Sequence, residues 1–185
     1  MILTPDKENI SMLAARIRDG GIVIAPAGTV FGIIALAGRV DIEEKIYGLK
    51  GRDPAKKLLV NMLELPNLPP VEARLAKAFW PGNLTIIVEG VGYRVPADPV
   101  LRQILELVDR PLISTSCNIS GASDIVTAAD AAATFPNIPV IDAIGPLSGT
   151  PSTIVEVTDG VPEVLRRGEI TAADIAAVLR RTDNV

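Results

Sequence analysis

Histidine is absent from the 185 residues of this chain, and cysteine occurs once, at Cys117. The first absence removes Ser-His-Asp hydrolases, Cys-His proteases, HExxH metalloproteases and histidine-bearing zinc sites. The second leaves no internal disulfide and no thiolate cluster for a metal, which fits a reducing compartment, and we expect the cytoplasm. Aromatic residues make up 3% of the chain, a thin supply for stacking nucleic-acid bases. No apolar run approaches the roughly 20 residues that cross a bilayer, so no membrane span is expected. The opening MILTPDKENI lacks the basic stretch and apolar core of a signal peptide. Catalysis, if present, must rest on Lys, Arg, carboxylates, hydroxyls, amides, backbone N–H groups or a magnesium ion carried by a nucleotide, with no metal held by the protein itself.

What remains is ordinary globular material: 48% hydrophobic, 22% charged, with a net charge of −4. That length suits one domain over residues 1–185, burying roughly 70% of its unfolded surface. The acidic balance argues against a surface devoted to nucleic acid but permits a local basic pocket. Apolar periodicity predicts a first helix with Ile10, Leu13, Ala14 and Ile17 inward, capped at Thr4 with Pro5 following. A second helix is expected from Asp41, with Glu44 completing a capping box and Ile42, Ile46 and Leu49 inward. Further helices are expected near 71–79, from Asp98-Pro99, from Thr127 to Phe135, and from Thr171 with Asp174. Strands are expected at 21–25, 33–37, 58–62, 84–88, 111–114, 138–141, 153–157 and around Val164-Leu165. The β-turn-β stretches at 22–37 and 153–166 imply a mixed sheet, hence an α/β fold that is not strictly alternating.

Four stretches could carry chemistry. Lys50, Arg52, Lys56 and Lys57 place four cations within residues 50–57, at a helix exit marked by Gly51. At ~7 Å and an effective dielectric of ~20, each such pair repels by roughly 2 kcal/mol, less in open solvent. The stretch is either a solvated basic turn or an anion site, for which a guanidinium fork and an ammonium point charge suit phosphate oxygens. Residues 114–121, Ser-Thr-Ser-Cys-Asn-Ile-Ser-Gly, gather small donors after an apolar strand, either as a plain turn or as an anion nest. Ser152-Thr153 and Arg166-Arg167-Gly168 complete the set; each alone reads as surface. Neither G-x-x-x-x-G-K-[ST] nor G-x-G-x-x-G occurs.

In this order the stretches resemble the YrdC-type family, whose best-known members make threonylcarbamoyl-AMP. The resemblance runs from Gly20-Gly21 and Val30-Phe31-Gly32 through Lys50-Gly51-Arg52, Trp80-Pro81-Gly82 and Arg94-Val95-Pro96. It continues in Ser114 to Ser116, Asn118 to Gly121, Pro151-Ser152-Thr153 and Leu165-Arg166. It implies an open twisted mixed sheet with flanking helices around a concave basic cavity. It further implies a synthase joining threonine, bicarbonate and ATP, with magnesium, into threonylcarbamoyl-AMP and pyrophosphate. That nucleotidyltransferase would hand its product to a complex that modifies tRNA. Lys50, Arg52, Ser116 and Asn118 match the family's K-x-R and S-x-N signature, with Lys50 and Arg52 as catalytic candidates. Lys56, Ser152 and Arg166 match further ATP-binding positions; Thr29, Phe31 and Asn61 fall where the family holds its amino acid.

Departures concern that amino acid. Pro26-Ala27-Gly28-Thr29-Val30-Phe31-Gly32 stands where the family has Pro-Thr-Glu or Pro-Thr-Asp before Thr-Val-Tyr-Gly, so a hydroxyl and a carboxylate are missing. Asn61 replaces a frequent histidine, Asp53 a proline and Cys117 an alanine. A site that hydrogen-bonds a substrate hydroxyl discriminates through that bond. Two other readings therefore stand beside the synthase: a divergent paralogue with another amino acid or no synthase activity, and a non-catalytic module binding RNA weakly through the basic hollow.

Overall fold

The computed structural model describes residues 1–65 and 67–180. Ten strands form one twisted, open, mixed sheet flanked by six helices. In chain order they are β1 (Ile2–Leu3), α1 (Lys7–Arg18), β2 (Val23–Pro26), β3 (Phe31–Leu36), α2 (Val40–Lys50), β4 (Leu59–Asn61), α3 (Pro70–Phe79) and β5 (Leu84–Val88). Then follow β6 (Val91–Arg94), α4 (Pro99–Val108), β7 (Leu112–Ser116), α5 (Ala128–Thr134), β8 (Val140–Ile141), β9 (Thr153–Thr158), β10 (Val161–Arg166) and α6 (Ala172–Arg180). The sheet order is β1-β8-β2-β3-β7-β4-β6-β5-β9-β10. The β2–β3, β5–β6 and β9–β10 pairs are antiparallel, whereas β5–β9 and β4–β6 are parallel. The expected mixed sheet is therefore present.

Strand periodicity assigns the two faces. Along β3, Ile34 and Leu36 pack beneath α1 and α4, while Phe31, Ile33 and Ala35 face α2 and α5. A third cluster, around Leu75, Leu84, Ile86, Val155 and Ile175, joins α3 and α6 to β5 and β9.

Caps show where local chemistry decides. The α1 cap is Asp6, accepting from Asn9 N at 2.9 Å, and not Thr4, whose hydroxyl donates to that same carboxylate. At α2 the expected box is absent, because Asp41 is drawn into a two-point bond with Arg39, 2.9 Å at each contact. Leu49 on that helix is exposed, not inward. Thr127 and the Thr171–Asp174 pair cap as expected. Asp98 accepts from both Val100 N and Leu101 N at 3.0 Å. Asp98→Ala should cost about 1 kcal/mol in urea melts and Asp98→Asn only a few tenths, since Asn is an equal cap.

Two strands escape the sequence reading. β1 has two residues and shows no periodicity. β6 carries Gly92 inside it and follows Glu89-Gly90, whose φ values of 50° and 72° make a tight left-handed hairpin turn after β5. That second omission matters, because β6 delivers Arg94 to the site.

Candidate functional site

The middle of the sheet is hollowed into two chambers. The inner one, about 130 Å³, is bounded by Thr29 and Gly32, the ends of β6 and β7, Thr85 of β5, Ser152 before β9, and Arg166 closing β10. No carboxylate lines it, while Arg52, Lys57, Arg94 and Arg166 do. The outer chamber, about 280 Å³, is lined by Lys50, Lys56, Asp53 and Asn118 among others. Arg52 and Ser116 line both chambers and so form their junction.

Lys50 ends α2 and is 1% exposed. Gly51 then turns the chain in a left-handed conformation at φ 59°. The Lys50 ammonium donates to the Ser116 and Asn118 carbonyls and, at 3.0 Å, to Asn118 Oδ1. Ser116 Oγ donates to the same Oδ1 at 2.7 Å, and Asn118 Nδ2 donates to Ala122 O at 2.6 Å. The K-x-R lysine and the S-x-N turn thus brace one another. All three ammonium donors meet protein acceptors in this arrangement, while Lys50 also lines the outer chamber. Burial, reinforced by the nearby Arg52 charge, pushes the Lys50 pKa down to about 8. Cys117 between these residues is fully buried, and burial drives its thiol up to about 12, which excludes it as a nucleophile near neutral pH.

The three arginines share one arrangement. Arg52 donates through Nε and Nη2 to the carbonyls of Lys56 and Lys57. Arg166 donates through the same two nitrogens to the carbonyl and hydroxyl of Ser152. Arg94 donates both to Asn61 Oδ1, at 3.3 and 3.0 Å. In each case Nη1 has no protein partner among the described residues. Arg94 is 3% exposed. Its pKa is lowered to about 10, mainly by burial and then by Arg166, with Asp98 opposing. Burial likewise lowers that of Arg166, Asp124 opposing. At about 10, Arg94 remains charged near neutral pH. The result is a hollow of fixed positive charge aimed at an anion not supplied by the protein.

The expected residues therefore fall into three groups. Arg52, Ser116, Ser152, Arg166 and Thr29 line the inner chamber, and Lys50, Lys56 and Asn118 the outer one. Arg52 and Asn118, distant in sequence, share a chamber wall. Phe31 does not reach either chamber: the strand's alternation turns it, fully buried, into the cluster under α2 and α5, while Gly32 faces the hollow. Asn61 also lies behind the wall, its Nδ2 donating to Ser114 Oγ at 2.7 Å and its Oδ1 holding Arg94. Ser152 acts through Arg166 and shares a 2.9 Å hydrogen bond with Thr85 Oγ1. Sequence reasoning missed Arg94 and Thr85 as wall residues, whereas Lys57 and Ser114 fell within the two stretches singled out as possible anion sites. The available signal for Arg94 was a lone cation set between Tyr93 and Val95-Pro96, an apolar setting with no neighbouring acid.

A family model described as "Telomere recombination", grouping Sua5, YciO and YrdC, matches residues 15–168. A threonylcarbamoyl-AMP synthase of Bacillus subtilis is 30% identical, with the match covering 96% of this chain and 58% of the relative. One from Pyrococcus abyssi is also 30% identical, covering 92% and 57% respectively. The chain thus spans under three fifths of the length of these two relatives. The crystal structure of Pyrococcus abyssi Sua5 complexed with L-threonine superposes with a TM-score of 0.89 at 28% identity, covering 97% of this chain and 61% of that one.

Proposed function

The chain belongs to the Sua5, YciO and YrdC family, and from that premise we propose that it is a threonylcarbamoyl-AMP synthase. In this reading it joins threonine, bicarbonate and ATP, releases pyrophosphate, and passes its product to a tRNA-modifying complex in the cytoplasm. The observation carrying this reading is the carboxylate-free hollow lined by Arg52, Arg94 and Arg166, whose Nη1 atoms have no hydrogen-bond partner among the described residues. A carbamate and an α-phosphate repel as they approach, and fixed donors at the meeting point offset that repulsion without reorganising. Arg52 and Ser116, at the junction of the chambers, are suited to the α-phosphate; Lys56 and the braced Ser116–Asn118 turn are suited to the remaining phosphates. Magnesium would arrive with the nucleotide as part of the substrate.

The test is pyrophosphate release from ATP with bicarbonate and threonine. We expect threonine-dependent release, reduced about 100-fold in Arg52→Ala, the usual effect of removing one donor to a developing anion. Equal rates in the two proteins would sink the assignment of Arg52.

One observation favours the paralogue with a different amino acid. Gly28 sits at φ +98°, and a Cβ there would lie 2.7 Å from Asn83 Oδ1. The left-handed backbone at this position disfavours the acidic side chain that the family carries there. Release measured across all amino acids separates the two readings, and a clear preference for threonine removes the second.

A further inference from the structure

Part of the inner chamber wall comes from two segments without regular structure. One is the turn between β2 and β3, through Ala27, Thr29 and Val30; the other is the end of residues 142–152, through Pro151 and Ser152. Residues 142–152 join β8 to β9 as a strap, and the strap meets the turn where Gly149 N donates to Thr29 O at 2.9 Å. Next to that bond, Ser148 Oγ donates to Glu169 Oε1. The other oxygen of the same carboxylate, Oε2, accepts from Asn83 Nδ2 at 2.7 Å. Asn83 in turn holds the strap's far end, its carbonyl accepting from Thr153 N at 3.0 Å. Its side-chain oxygen lies against Gly28, where an added Cβ would stand 2.7 Å from Oδ1. These contacts close a ring from Gly28-Thr29 through Gly149-Ser148, Glu169 and Asn83 back to Gly28. No member of the ring lines the outer chamber.

Glu169 is the charged member of that ring and its link between segments. It takes part in no ion pair among the described residues, so both its oxygens serve neutral donors. Ser148 and Glu169 are exposed. Hydrogen bonds to a charged acceptor at such a rim are strong enough to bias a loop, and water can still replace them when it opens. Gly28 is among this chain's departures from its family, and the side chain it lacks leaves the space that the Asn83 amide occupies. We propose that Glu169 is a positioning residue, latching the strap to the β2–β3 turn so that the inner chamber wall is complete only while the ring is closed. This rests on the synthase reading for its ligand and adds a closing element that the signature residues do not contain. Cutting the latch lowers the share of molecules with a complete wall, and apparent affinity for the inner occupant falls by that share. Saturating ligand draws the population back to the closed wall, so turnover is kept. Binding in the outer chamber is left as it was.

The test is steady-state pyrophosphate release with threonine and ATP titrated separately, on the wild type, Glu169→Ala, Glu169→Gln, Ser148→Ala and the Glu169→Ala/Ser148→Ala double variant. Glu169→Ala should raise the KM for threonine about 10-fold, with kcat and the KM for ATP each within about 2-fold of the wild type. Glu169→Gln keeps an acceptor oxygen for Asn83 and offers an amide that Ser148 Oγ can accept from, so its threonine KM should return to within about 3-fold. Ser148→Ala should raise the threonine KM alone and add nothing once Glu169 is alanine, because one carboxylate carries both arms. Without any substrate, hydrogen exchange of the Gly149 amide should quicken about 10-fold in Glu169→Ala. An unchanged threonine KM or an unchanged Gly149 exchange in Glu169→Ala overturns the proposal. So do threonine and ATP KM values that rise together, and Ser148 and Glu169 effects that simply add. A wild type without threonine-dependent release overturns the synthase reading instead, and the Gly149 exchange then decides the latch by itself.

Discussion

Replacing Lys50 by methionine should abolish most activity, about 1,000-fold in turnover, because this lysine braces the turn that carries Ser116 and Asn118. Its ammonium holds the Ser116 carbonyl and both oxygens of Asn118. Methionine fills the volume but leaves those acceptors without a donor, and a buried acceptor stripped of its partner costs about 1–3 kcal/mol. The turn would relax, moving Ser116 and the neighbouring backbone out of line with the phosphates, and displacements of an ångström cost about 100-fold before any lost charge is added. Pyrophosphate release and ATP calorimetry read the effect. A Lys50→Met protein with wild-type ATP affinity would show that the brace is dispensable.

The same lysine gives a pH signature with two opposite limbs. Its folded pKa of about 8 lies below the ordinary value of 10.5. The folded chain therefore releases this proton before the unfolded chain does. Between about pH 8 and 10.5 the unfolded state binds more protons, and this group's contribution to stability rises with pH. Over the same window one of three donors to the turn is lost, so ATP affinity should fall. Urea melts and ATP titrations from pH 7 to 10 should thus diverge in the wild type and lose this divergence in Lys50→Met.

Gly168→Ala is the second large effect. An added Cβ would stand 2.2 Å from Pro151 O, 2.4 Å from Thr153 N and 2.6 Å from the Ser152 carbonyl carbon, all backbone atoms. No side-chain rotation relieves such a contact, so the entry to β9 must shift. That entry carries the Thr153 N to Asn83 O bond at 3.0 Å and the Ser152 oxygens that hold Arg166. Overpacking of this kind costs about 3 kcal/mol. Thermal denaturation should show it, with Arg167→Ala, one residue earlier and exposed, staying within about 0.5 kcal/mol of the wild type. An unchanged melting temperature in Gly168→Ala would contradict this packing.

How much of this was legible in the sequence follows from the range of the forces involved. The amphipathic helices, the β9–β10 hairpin and the caps at Asp98, Thr127 and Thr171 are local, and the residues declare them. The Thr4 and Asp41 caps were misread because neighbours compete: Asp6 is two residues away, and Arg39 claims the Asp41 carboxylate. The family signature gathered Arg52, Ser116, Ser152 and Arg166 into one hollow. It could not say that Lys50 spends its donors on the protein, since that depends on carbonyls 66 and 68 residues later in the chain. The family resemblance put Phe31 among the amino-acid positions, whereas strand parity turns it into the core. Arg94 was invisible as a wall residue because β6 is short, glycine-interrupted and paired through a hairpin turn lying beyond the strand that was foreseen.

The double anchoring of each guanidinium has an energetic corollary. A long side chain carries about 2 kcal/mol of torsional freedom, and here much of it was surrendered when the chain folded, so little is left to forfeit at capture. Ligand affinity and conformational stability consequently draw on one reserve: loosening a tether far from the anion weakens capture, and captured anion in turn resists unfolding.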